Sequence, residues 1–116
     1  MLQAMEPYLP VKDIQETASF WRDELAFDVT GQSETWLRVA RDDVAFMFGL
    51  GTPPAGFEGL FVVRVRDVEA LVQVMSAKPE WGPRDTRDSR REVAYRDPNG
   101  YVVNFTQNTD GGEVMH

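Results

Sequence analysis

The chain has 116 residues, 42% of them apolar and 11% aromatic, with a net charge of −7, no cysteine and one histidine. That composition suits one globular domain with a core of its own, and zero cysteines exclude disulfides, thiolate catalysis and cysteine-bound zinc. An acidic chain lacks the basic footprint that phosphate backbones require, so nucleic acid is excluded as a principal partner, and no apolar run approaches the length of a membrane span.

The first residues lack the basic-then-apolar order of a signal peptide, so the expected compartment is the cytoplasm. Leu9 and Val11 alternate with Tyr8 and Pro10, which predicts a short strand over residues 6–11, and Pro7 and Pro10 restrict it to an edge. Asp13 with Glu16 is a capping box opening a helix. Ile14, Ala18, Trp21 and Leu25 form the apolar face of that helix. Strands are expected over 27–30, 35–40 and 44–49, with turns at 31–34 and 41–43. Alternation sets Trp36 and Arg38 opposite Leu37 and Val39, and Ala45, Met47 and Gly49 opposite Val44, Phe46 and Phe48. Residues 50–59, with Pro53-Pro54 and three glycines, read as a connection.

The pattern then returns. Residues 60–65 predict a strand, and Asp67 caps a helix whose apolar face is Val68, Leu71, Val72 and Met75. Leu9, Val11, Asp13 and Ile14 recur as Val63, Val65, Asp67 and Val68 at a constant offset of 54. Such a repeat indicates two copies of a β-α-β-β-β unit. The charged segment Arg84–Arg91, with Trp81 near it, is expected to be a solvated loop or else a mobile lid. Strands over 92–96 and 101–106 flank the turn Asp97-Pro98-Asn99-Gly100. The tail 108–116 is expected to fray, carrying with it His116, the single histidine, which is not expected to be a ligand.

Three segments in this order, Leu9-Pro10-Val11-Lys12-Asp13-Ile14, Ser19-Phe20-Trp21-Arg22-Asp23-Glu24-Leu25-Ala26-Phe27 and Arg96-Asp97-Pro98-Asn99-Gly100-Tyr101-Val102-Val103-Asn104-Phe105, resemble the vicinal-oxygen-chelate superfamily. That superfamily holds glyoxalase I, ring-cleaving dioxygenases and bleomycin-resistance proteins. The resemblance implies an α+β fold in one domain, 1–116. Two tandem β-α-β-β-β modules, about 6–50 and 59–107, would form a curved sheet with a concave ligand cleft. Carried over by strand position, the family's metal-ligand positions read Glu6, Leu60 and Asn104, with a fourth near Met47 or Gly49. Leucine binds no metal and an amide is a poor substitute for a carboxylate. No metal, no cofactor and no catalytic residue is therefore expected. The opening Glu6–Asp13 resembles the arm of the bleomycin-resistance branch, which implies a homodimer with an exchanged N-terminal arm and a small-molecule ligand held unmodified.

Alternation and the resemblance together place Tyr8, Trp36, Arg38, Met47, Gly49, Leu60, Arg64 and Asn104 on the concave face as the expected ligand-binding residues, with Glu6, Val62 and Val102 beside them. Trp36 could stack on a planar or cationic group, or equally belong to the core. Asn104 could offer one donor and one acceptor, or be a satisfied polar residue beside the cleft. Arg38 and Arg64 favour an anionic or carbonyl-rich ligand unless Glu6 pairs with them. The expected function is non-catalytic sequestration of an antibiotic-like molecule, bleomycin among the candidates. The alternatives are a divergent metal-dependent lyase or dioxygenase using Glu6, and a scaffold whose cleft has lost its ligand.

Overall fold

Both capping aspartates open helices. The Asp13 carboxylate accepts from the Glu16 N–H at 2.9 Å, and Asp67 accepts from the Ala70 N–H at 3.1 Å. The computed structural model describes residues 1–57 and 59–109. The first module runs β1 (Tyr8–Val11), α1 (Ile14–Ser19), a wider π-type turn (Phe20–Glu24), β2 (Asp28–Gln32), β3 (Trp36–Arg41) and β4 (Val44–Leu50). The second runs β5 (Phe61–Arg64), α2 (Val68–Val74), β6 (Trp81–Asp85), β7 (Arg90–Arg96) and β8 (Val102–Asn108). The strands form two sheets, ordered β1-β4-β3-β2 and β5-β8-β7-β6. In each, the first strand lies parallel beside the last, and the other pairs are antiparallel. Among the described residues no helix is long and apolar enough to cross a membrane.

One core joins the two sheets. Leu37, Val39, Phe46 and Phe48 from the first meet Val93, Tyr95, Val103 and Phe105 from the second. Trp21 is fully buried at its centre, with ring centroids 5.1 Å from Phe27, 4.8 Å from Phe46 and 5.4 Å from Phe48. The predicted apolar face Ile14, Ala18, Trp21 and Leu25 is buried as a whole. Burial of a large side chain contributes roughly 1.5–3 kcal/mol. Polar bonds then tie the modules together. Trp21 Nε1 donates to Asp97 Oδ2 at 3.3 Å, and the Ser76 and Ala77 N–H groups donate to Glu24 O at 2.9 and 3.1 Å.

The two tandem modules are present as expected, and each contributes one open four-stranded sheet. The structure corrects two other expectations. The segment Arg84–Arg91 is neither loop nor lid. Arg84 and Asp85 lie in β6, Arg90 and Arg91 in β7, and only 86–89 turn between them. Its charges pair across the hairpin, Arg84 with Glu92 at 2.8 Å and Arg91 with Asp85 at 3.1 Å, and Arg91 also bonds Glu69. The final strand extends to Asn108, and the Thr109 N–H donates to Ser89 O at 3.0 Å, so 108–109 are tied down. His116 and the rest of the tail from 110 lie outside the described residues.

Candidate functional site

Each sheet turns one face to the core and leaves the other open. On the first sheet, register aligns Tyr8, Met47, Arg38 and Gly31 in one row, and Pro10, Gly49 and Trp36 in the next. Five of the expected residues, Tyr8, Trp36, Arg38, Met47 and Gly49, therefore share this face. Two glycines make room for its aromatic rings. A Cβ on Gly49 would lie 2.3 Å from the Tyr8 hydroxyl oxygen, and one on Gly31 would lie 2.5 Å from the Trp36 ring. Tyr8 and Trp36 thus lie flat over neighbouring strands, and Trp36 is outside the core cluster.

Arg38 is engaged from within the chain. Its Nε and Nη2 donate to the two Glu6 carboxylate oxygens at 3.0 Å each, and Nη1 donates to Thr30 Oγ1 at 3.0 Å. The hydrogen bonds from Arg38 hold the Glu6 carboxyl below its ordinary value, although desolvation opposes them, and the same contact raises Arg38. A fork of this kind satisfies both groups. Arg38 is not a spare cation, and Glu6 is not a spare ligand for a metal.

On the second sheet, one row reads Trp81, Ala94, Asn104, Val62 and the next reads Arg84, Glu92, Thr106, Arg64. Ala94, fully buried, lies between Trp81 and Asn104 in the first of these rows. Asn104 is 7% exposed and donates from Nδ2 to Glu92 Oε1 at 3.1 Å. Arg84 donates from Nε to Glu92 Oε2 at 2.8 Å, and its guanidinium carbon is 5.4 Å from the Trp81 ring centroid. Burial pushes the Glu92 carboxyl up, but the hydrogen bond from Asn104 and the pairing with Arg84 outweigh it, and the net shift is downward. The Trp81 N–H is near enough to add slightly to that effect. Even so, Trp81 Nε1 and Asn104 Oδ1 are both buried without a hydrogen-bond partner of proper geometry among the described residues. Val62, at the end of the first of these rows, and Leu60, just before β5, are exposed at 57% and 56%.

The expected residues therefore divide, with Leu60, Arg64 and Asn104 on the second sheet and the other five on the first. Sequence reasoning did not find Glu92, and it set Trp81 in a loop near the charged segment rather than in a strand. The positions of both depend on the β6–β7 register, which requires recognising β6. The donors also do not suit a metal. Glu6 is bound to Arg38, Leu60 has no donor, Asn104 bonds Glu92, and no three His, Asp or Glu side chains converge among the described residues.

Residues 2–105 match the sequence profile described as Glyoxalase/Bleomycin resistance protein/Dioxygenase superfamily. No curated protein matches the chain. Solved structures are similar throughout. A bleomycin-binding protein complexed with bleomycin shares 21% identity, covers 92% of this chain and 99% of its own, and superposes with a TM-score of 0.76. TnmS3, an antibiotic binding protein from Streptomyces sp. CB03234, shares 22% identity over 94% of this chain and 98% of its own, with a TM-score of 0.75. The bleomycin-binding protein from bleomycin-producing Streptomyces verticillus, complexed with copper(II)-bleomycin, shares 23% over 93% and 98%, with a TM-score of 0.69. At these identities the likeness establishes the fold.

Proposed function

Since the chain belongs to the Glyoxalase/Bleomycin resistance protein/Dioxygenase superfamily, we propose that it binds and sequesters a small antibiotic-like molecule on its open sheet faces without altering it. The observation that carries this reading is the aromatic floor of the first sheet, where Tyr8 and Trp36 lie over glycines with Met47 beside Tyr8 in its row. Flat rings at a sheet surface stack on planar or cationic groups. Pairing of Glu6 with Arg38 argues against a metal enzyme built on Glu6. The same reading takes 1–116 as one cytoplasmic domain acting as a homodimer. Exposed Leu60 and Val62 offer a second copy an apolar contact beside the ligand, and the arm before β1 could exchange between copies.

Tryptophan fluorescence titration with bleomycin and aromatic antibiotics tests the reading. Trp36→Ala, folded by circular dichroism, should bind about tenfold more weakly, as loss of one stacking contact implies. Unchanged affinity would remove Trp36 from the site. Tight binding of one Zn, Ni, Mn or Fe(II) per subunit would overturn the non-catalytic reading.

A further inference from the structure

The two modules repeat, but their last turns differ in length. In the second module, residues 97–101 join β7 to β8 and dock against the junction between β1 and α1. The Lys12 N–H donates to Asn99 Oδ1 at 3.2 Å, and the Tyr101 hydroxyl donates to Pro10 O at 2.5 Å. Tyr101 is fully buried there. A ring and an acceptor oxygen thus close the outer edge of β1. In the first module only Asp42 and Asp43 join β3 to β4, and Arg64, Val65, Arg66 and Asp67 occupy the places of Pro10, Val11, Lys12 and Asp13.

The shorter turn leaves a cavity of about 580 Å³ against the β5–α2 junction. Its apolar wall includes Phe27, Val44, Val63, Leu71 and Phe105. Arg64 and Arg66 line the β5 side. The Val65 N–H donates inward to Thr106 O at 2.8 Å, so the alternate groups of this edge strand point outward. Neither the Arg66 N–H, which is the counterpart of the bonded Lys12 N–H, nor the guanidinium of Arg64 or Arg66 has a partner among the described residues. By contrast, Arg41 is held by Ala26 O at 2.9 Å, and Asp67 is used in capping α2. Asp42 and Asp43 stand on the turn side, so a bound anion would be oriented toward β5.

We infer that this groove is a second ligand site, separate from the open sheet faces, and that it takes a small aromatic carboxylate. The ring fills the apolar wall as Tyr101 does in the other module, and a carboxylate oxygen accepts from the Arg66 N–H as Asn99 Oδ1 does from Lys12. Arg64 and Arg66 supply the countercharge. The inference stands whether or not the open faces bind an antibiotic.

The test is an amide-resolved NMR titration of the full chain with 3-phenylpropionate, with neutral 3-phenylpropionamide as control. Saturable shifts are expected at Arg66, Val65 and Leu71, with the Trp36 indole unmoved. The change Arg66→Ala, at a residue outside the open-face rows, should weaken binding about tenfold or more, the loss of a charge-assisted pair. Leu71→Trp, which fills the groove, should abolish it. Circular dichroism checks that both variants are folded. The inference is overturned if Arg66 does not respond up to the solubility limit of the probe. It is likewise overturned if the amide binds equally well, if the shifts fall on the open faces instead, or if dilution without ligand moves the same resonances, which would mean that a second copy covers the groove.

Discussion

Glu92 lies between an arginine and an amide, and its ionisation is linked to the fold. Burial opposes its charge, but Asn104 and Arg84 prevail and lower its folded value below 4.5. Its contribution to stability is present above the ordinary value and is lost as pH falls through the lowered one. Glu92→Gln should therefore lose less stability than the natural chain on acidification. Parallel acid-unfolding curves would contradict this. Asp97 has the opposite sign. Burial raises its carboxyl above 3.8 despite the donors around it, so the contribution of this one group is fully present below 3.8 and is lost as pH rises through the raised folded value. Asp97 accepts from Trp21 Nε1, Asn99 N, Asn99 Nδ2 and Tyr101 N. Asp97→Asn would turn a donor toward one of these donors, and urea unfolding should show a loss of about 1–3 kcal/mol. At this scale alternation was a sound guide to faces, placing Tyr8, Trp36, Arg38, Met47 and Asn104 away from the core cluster. It could not find the Glu92–Arg84 pair, because cross-strand partnership is a property of register.

Strand β6 shows why an element can escape a sequence reading. Trp81-Gly82-Pro83-Arg84-Asp85 contains the two residues that usually interrupt strands. Pro83 is tolerated because β6 is the outer strand of its sheet. Gly82 sits at φ +81°, and a Cβ there would lie 2.3 Å from Glu92 O, which is backbone and cannot swing away. Gly82→Ala should destabilise by about 1–3 kcal/mol, and a stability equal to the natural chain would show that the hairpin can shift. The first helix offers a second test. Trp21→Phe keeps a ring in the core but removes the N–H donated to Asp97. Hydrogen exchange should then accelerate in 97–101 while the β3 and β4 amides stay protected. Uniform acceleration would mean that the effect is packing alone.

At the scale of the whole molecule, the offset of 54 made the duplication legible, and the capping aspartates made its phase legible. The pairing of individual strands was not legible, since periodicity tells which way a side chain points and is silent on which strands are neighbours. Leu60 and Val62 are uncovered in the single chain. If the proposed homodimer uses this patch, Val62→Glu should leave the single chain folded and weaken its association in sedimentation equilibrium. Unchanged association, or a natural chain that stays monomeric, would remove this contact from the proposal.

The docking of the 97–101 turn also bears on how the chain is made. The bonds from Asn99, Asp97 and Tyr101 reach back to Lys12, Thr17, Trp21 and Pro10 across 76 to 91 residues. During synthesis the first module leaves the ribosome with the edge of β1 uncapped and the Trp21 N–H unbonded. Both wait for residues 97–101 to be translated. A nascent chain in which only the residues before Asp97 have emerged should be readily cut by protease within residues 8–27, and one in which Phe105 has also emerged should resist, because residues 97–101 carry the latch for a segment made long before them.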